Sequence, residues 1–206
     1  MSSCCNDKAC ELDALRGKQT ATLKAVLVIN AVMFGVELTA GLAAGSVSLL
    51  ADSLDMLGDA LVYGVSIYAV TRGARERALS ALLKGSVMAL FGLLVVTQAV
   101  YRSFYPQPPE LHLMGAIGSL ALVANVVCLA LLWRHRADDI NMSSVWLCSR
   151  NDIVANVSVL LAAAAVWWLD SPWPDVVVGT GLAVLFLNSA VYVLREARSE
   201  FRVAHA

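Results

Sequence analysis

Three aspartates, Asp52, Asp55 and Asp59, are spaced along one short stretch inside a long apolar run of the sequence. Spacings of three and four residues place all three side chains on one face of a helix. Like charges on one stripe repel each other unless protons or a cation neutralise them. Inserting a carboxylate into a bilayer costs roughly 2.5–3.5 kcal/mol, so such groups face a protein interior or a watery cavity. The stretch therefore predicts a cation site within a membrane.

A second polar stripe lies in a later apolar run, where Cys148, Asp152 and Asn156 repeat every four residues. If the two runs cross the bilayer in opposite directions, their depths can be compared at about 1.5 Å per helical residue. Asp59 then lies level with Cys148, and Asp55 lies level with Asp152. Two antiparallel helices can therefore bring four ligand-type side chains to one point near the middle of the membrane.

Three carboxylates and a thiolate, from Asp55, Asp59, Asp152 and Cys148, suit a tetrahedral divalent cation. Zinc accepts oxygen and sulfur ligands at about 2.0–2.3 Å. The sulfur disfavours magnesium and calcium, which prefer oxygen alone, and favours zinc, cadmium or cobalt. We expect the metal to be cargo rather than a tightly bound cofactor.

Residues 48–60 resemble the second transmembrane helix of the cation diffusion facilitator family, whose members are divalent metal/proton antiporters. That helix carries His-x-x-x-Asp or Asp-x-x-x-Asp in the family, and Asp55 and Asp59 occupy the two places here. The fifth helix of the family carries His-x-x-x-Asp. Cys148 and Asp152 occupy those places, with cysteine where histidine is usual.

The resemblance covers roughly residues 23–194 and implies a function. It implies proton-coupled efflux of divalent transition-metal cations from the cytoplasm, with zinc as the main cargo and cadmium or cobalt as others. The family's cytoplasmic C-terminal domain is not found after residue 194, so a homodimer would have to be held by the spans. Cysteine for histidine at position 148 leaves the metal preference open, because a thiolate is softer than an imidazole.

Long apolar runs must position these side chains. Of the 206 residues, 59% are hydrophobic and only 15% are charged, which indicates an integral membrane protein. Helices are expected, because every backbone polar group must be satisfied within the bilayer. The sequence thus predicts an all-α bundle of six transmembrane helices, at 23–44, 46–71, 82–104, 112–133, 141–169 and 174–194. The transport domain would occupy residues 22–195, between tails at 1–21 and 196–206.

Lysine and arginine predict the orientation. They concentrate in both tails and in the second and fourth connections, whereas the other three connections contain almost none. Both termini are therefore expected in the cytoplasm, as in a protein of the bacterial inner membrane. A net charge of −1 and the absence of any nucleic-acid-binding motif give no sign of a nucleic-acid partner. The expected partners are metal ions, protons and lipid.

Four further polar residues are expected to orient the ligands or to line the access route: Asp52, Asn156, Glu37 and Asn30. Asp52 could instead cap its helix, and the two asparagines could form hydrogen bonds between helices. Glu37 follows Asn30 by seven residues, so the two share a face that is expected to turn inward. Cys128, among apolar neighbours, is interpreted as part of the core.

Three cysteines near the N-terminus, Cys4, Cys5 and Cys10, could capture soft metal ions. Their spacing matches no closed zinc motif, so the alternative is a disordered tail with reduced thiols.

Two other functions are alternatives to transport. An intramembrane aspartyl protease uses two aspartates and a Gly-x-Gly-Asp motif, but here Met56 takes the place of the first glycine, ahead of Gly58 and Asp59. A protein that binds or senses metal without net transport is the other alternative. The ligand set favours a transporter over an enzyme.

Overall fold

The computed structural model shows a bundle of six helices and confirms the all-helical prediction. It describes residues 3–69, 74–133 and 140–203, and the side chains of residues 21–64, 79, 82–133, 152–195 and 198. The helices are α1 (Ser3–Ala44), α2 (Val47–Ala69), α3 (Ala74–Phe104), α4 (Leu111–Trp133), α5 (Ile140–Leu169) and α6 (Trp173–Val203). Residues 3–21, predicted as a tail, form the beginning of α1.

Much of the bundle surface is apolar. Five described segments are long and apolar enough to cross a bilayer: Ala21–Ala44, Leu82–Phe104, Leu111–Trp133, Asp152–Leu169 and Trp173–Arg195. Large side chains such as Leu90, Val123 and Leu185 are exposed along them, as expected of lipid-facing positions. Trp167 and Trp168 are exposed near the end of α5, and tryptophan is common where a span meets the membrane surface. The chain is an integral membrane protein.

Helix α2 differs from the other five. Its 23 residues are enough to span a bilayer, but its apolar run is interrupted by Asp52, Asp55 and Asp59. Every described residue of this helix, 47–64, is buried or half-buried. It packs against α1, α3, α5 and α6. α2 is therefore the central helix, and the surrounding helices shield its carboxyl groups from lipid.

Apolar packing orients α2 about its axis. Leu54 belongs to a buried cluster with Met88 of α3 and Phe186 of α6. Leu49 belongs to another cluster, which includes Met114 of α4. Because these faces of α2 are filled by side chains of its neighbours, the aspartate stripe is directed toward α1 and α5.

The turn between α1 and α2 is held by α6. Gly45 has a φ of 64°, a left-handed conformation that glycine adopts without strain at the end of a helix. The carboxylate of Asp175, near the start of α6, accepts hydrogen bonds from Ser46 Oγ at 2.7 Å and Val47 N at 2.7 Å. It also accepts bonds from Ser48 N at 3.1 Å and Ser48 Oγ at 2.6 Å. Asp175 thus caps the N-terminus of α2 from another helix.

Candidate metal centre

The aspartate stripe of α2 faces the interior of the bundle. Asp52 is fully buried, and Asp55 and Asp59 are half-buried. Since their spacing is close to one helical turn, the three carboxyl groups follow one another along the helix axis. The stripe lies between the membrane-spanning helices. It begins four residues after Ser48, whose N–H and hydroxyl groups donate to Asp175.

Asp152 of α5 reaches the stripe from the opposite side. Its carboxyl group interacts electrostatically with those of Asp59, Asp55 and Asp52, most strongly with that of Asp59. The depth comparison expected Asp152 level with Asp55, and that level stays a prediction. Asp152 therefore lies within electrostatic range of the aspartates of α2, although the three described carboxyl groups are not gathered closely enough to hold a metal ion.

Asn156 connects α5 to the third aspartate of the stripe. Its side-chain nitrogen donates to Asp52 Oδ1 at 3.1 Å and to the backbone oxygen of Asp152 at 3.0 Å. The residue is fully buried, and its side-chain oxygen has no hydrogen-bond partner in the described part of the chain. Asn156 therefore fixes the orientation of Asp52 and keeps one acceptor oxygen available.

Tyr63 also contacts the site, although the sequence analysis did not single it out. It is almost completely buried, and its hydroxyl group donates to Asp59 Oδ2 at 2.6 Å. Tyr63 follows Asp59 by four residues and so continues the stripe by one turn. That spacing is the signal by which the residue could have been found. The bond holds one oxygen of Asp59 in place.

Cys128 of α4 is buried, as its interpretation as a core residue expected, but it lies close to the site. Its sulfur interacts electrostatically with Asp59 and Asp152. It also accepts a hydrogen bond from Asn30 Nδ2 at 3.7 Å, while the same nitrogen donates to Val26 O at 2.9 Å. Asn30 thus links α1 to α4 beside the site and donates to neither aspartate.

Glu37 of α1 faces inward, as the sequence predicts. Its side chain is fully buried and interacts electrostatically with Asp52 and Asp55. Neither carboxyl oxygen has a hydrogen-bond partner among the residues whose side chains are described. A fourth acidic residue of the bundle interior therefore lies beside the stripe.

Unpartnered oxygens are concentrated around the stripe. Within the described side chains, the buried oxygens that lack a hydrogen-bond partner are Glu37 Oε1 and Oε2, Asp52 Oδ2, Asp152 Oδ2 and Asn156 Oδ1. Each buried polar atom without a partner costs about 1–3 kcal/mol, and a charged one costs more. Lys84 of α3 interacts electrostatically with Asp59 and offsets part of the negative charge. Carboxylate and amide oxygens are donors that a divalent cation takes.

Several predicted ligands fall outside the described side chains, namely Cys148, Cys4, Cys5 and Cys10. Position 148 belongs to α5, four residues before Asp152. Among the described residues, no three His, Cys, Asp or Glu side chains are gathered closely enough to hold a metal ion. The described carboxyl groups alone are therefore an incomplete ligand set.

The sequence of this bundle is similar to those of known proteins. The family model of the cation efflux transmembrane domain matches residues 23–201. Zinc transporter ZitB of Escherichia coli (strain K12) is 26% identical over 179 residues, which cover 80% of this chain and 57% of that protein. ZitB of Yersinia pestis is 27% identical over 187 residues, 84% of this chain and 59% of that protein.

A eukaryotic relative is similar over a shorter region. The vacuolar zinc transporter ZRC1 of Saccharomyces cerevisiae is 29% identical over 146 residues, which cover 63% of this chain and 32% of that protein. The chain thus spans less than two thirds of the length of the curated relatives it matches.

Proposed function

Because the chain belongs to the cation efflux family, we propose that it is a secondary transporter that exports divalent transition-metal cations in exchange for protons. Relatives named as zinc transporters favour Zn²⁺ as the main cargo. A thiolate at position 148 would also accept Cd²⁺ or Co²⁺. The family gives no support to a protease, which was the enzyme alternative.

One observation supports the proposal: carboxyl groups from two different helices, Asp59 of α2 and Asp152 of α5, interact electrostatically in the interior of the bundle. Asp55 interacts with both of them. Cys148 precedes Asp152 by one turn of α5 and shares its face, so it is the proposed fourth ligand. Four ligands of this type complete a tetrahedral zinc site.

Exchange for protons follows from the chemistry of the ligands. Two neighbouring carboxyl groups in a buried region favour uptake of a proton, because the charges of two ionised carboxylates repel each other. A metal ion that binds both groups takes the place of that proton, because metal ligands must be deprotonated. Metal ions and protons therefore compete for the same oxygens, and a lower pH is expected to weaken metal binding.

The direction of transport rests on the distribution of basic residues. With both termini in the cytoplasm, the turn at Gly45 lies on the outer side of the bacterial inner membrane. The ion would enter between the helices from the side of the termini and leave toward that turn. Tyr63 holds Asp59 for the ion, and Asn156 holds Asp52. A homodimer held by the spans and metal capture by Cys4, Cys5 and Cys10 stay predictions.

The test measures zinc and proton fluxes together in proteoliposomes that contain the purified protein. The wild type should move Zn²⁺ only with a counterflow of protons. Asp59→Asn and Asp152→Asn each remove a charged ligand, so zinc flux should fall by about 100-fold or more. Asp170→Asn is the matched control, because it makes the same chemical change at an exposed aspartate whose φ of 47° asparagine tolerates.

The outcomes separate the remaining alternatives. Normal flux in both Asp59→Asn and Asp152→Asn would refute the site. Zinc binding without any flux in the wild type would favour a protein that binds or senses metal. Zinc flux without proton movement would remove the exchange mechanism and leave the site.

A further inference from the structure

Four unpartnered oxygens lie between α1, α2 and α5, beside the proposed transport site. They are Glu37 Oε1 and Oε2, Asp52 Oδ2 and Asn156 Oδ1. The three side chains that carry them are completely buried, each with 0% exposure. Asn156 Nδ2 donates to Asp52 Oδ1, and the carboxyl groups of Glu37 and Asp52 interact electrostatically. The group is therefore connected across three helices.

The chemistry of this group differs from that of the proposed transport site. All of its available donors are carboxylate or amide oxygens, whereas the transport site includes the sulfur of Cys148. Oxygen-only sets suit hard and borderline divalent cations, while thiolate favours softer ones. The unpaired acceptors have an explanation if a cation binds them, because one cation satisfies several oxygens and offsets the buried charge.

The group of Glu37, Asp52 and Asn156 lies at a different level along the bundle from the proposed transport site. Glu37 precedes Gly45 by eight residues and Asp52 follows it by seven, so the two lie at similar distances from the turn. Asp52 is nearer to the turn than Asp55 by about one helical turn. Asp55 interacts with Glu37 as well as with Asp59 and Asp152, so it lies between the two groups.

We propose that Glu37, Asp52 and Asn156 form a second, oxygen-only binding station for the divalent cation, between the transport site and the Gly45 turn. This inference rests on the proposed function, since the station receives the ion that leaves Asp55, Asp59 and Asp152. The shared position of Asp55 lets an ion pass from one group to the other without losing all of its protein ligands. Two stations in series let the ion leave the tighter, sulfur-containing site in smaller steps.

The experiment measures Mn²⁺ binding to the purified full-length protein by electron paramagnetic resonance of the free ion. Mn²⁺ is the probe because it prefers oxygen to sulfur. The variant with both Asp59→Asn and Asp152→Asn disables the transport site and should still bind Mn²⁺. Addition of Glu37→Gln to this variant should weaken binding by about tenfold or more. Glu37→Asp should restore part of the affinity, while Glu110→Gln, at an exposed carboxylate, should change nothing.

A second measurement protects the test against misfolding of the triple variant. Saturation of the otherwise unmodified protein with Zn²⁺ should give two bound ions per chain in the wild type and one after Glu37→Gln. Absence of Mn²⁺ binding to the double variant, or equal binding with and without Glu37→Gln, would overturn the station. Retention of proton-coupled zinc flux by the double variant would instead contradict the proposed function, so the two failures are distinguishable.

Discussion

Two buried acidic side chains in this bundle, Asp175 and Glu37, differ in their hydrogen bonding. Asp175 accepts hydrogen bonds from Ser46, Val47 and Ser48 at the beginning of α2. Glu37 is buried as completely as any described residue but has no hydrogen-bond partner among the described side chains. Both carboxyl groups lie near the same end of α2, so depth alone does not explain the difference.

The difference separates acids that stabilise the fold from acids that are proposed to bind ions. A carboxylate whose lone pairs are filled by protein donors stabilises the fold and has no oxygen available for a ligand. Carboxylates that keep unpaired oxygens, such as Glu37, Asp52 and Asp152, cost stability and are expected where a cation visits. The aspartate stripe of α2 is of the second kind, whereas Asp175, which caps the N-terminus of α2, is of the first kind.

Removal of the structural acid should have the largest effect on stability. Asp175→Ala takes away every one of these bonds and leaves two backbone N–H groups of α2 unpaired. We expect the free energy of unfolding to fall by about 3 kcal/mol or more. Glu37→Gln removes an unpaired buried charge and should leave stability unchanged or raise it. Thermal unfolding of the purified protein in detergent compares the two, and a larger loss for Glu37→Gln would break the distinction.

A smaller loss of stability is expected from a substitution at the contact between α6 and α2, which brings Asp175 into place. A Cβ at Gly179 would lie 2.5 Å from Ser48 N, so Gly179→Ala must push the two helices apart. We expect a loss of about 1–3 kcal/mol. Gly181, two residues further along α6, has nothing within 4 Å of its Cβ position, so Gly181→Ala should be neutral or slightly stabilising. Equal unfolding temperatures for the two variants would contradict this account of the helix contact.

Much of the fold could be predicted from sequence because the bilayer imposes it. Long apolar runs had to be helices, and helical spacing was enough to put Asp52, Asp55 and Asp59 on one face. The same reasoning predicted an inward direction for Glu37. Tyr63 carries the same spacing signal, but the sequence analysis assigned it no role.

Other features could not be predicted from spacing. Asp175 lies 127 residues after Ser48 in the chain, and no local pattern tells which helix it caps. The interaction of Asp152 with the aspartates of α2 depends on how α2 and α5 are placed against each other, which periodicity does not determine. The approach of Cys128 to the two aspartates has the same origin, because the position of α4 relative to α2 is a property of the whole bundle.

The most direct test of the account asks whether Asp59 and Asp152 bind the same ion. Zinc affinity is measured at one pH for the wild type, Asp59→Asn, Asp152→Asn and the variant with both changes. If the two carboxylates share one ion, each single change weakens binding by about 10–100-fold, and the double change costs clearly less than the product of the two. Losses that multiply, as they do for independent positions, would contradict a shared metal site between α2 and α5.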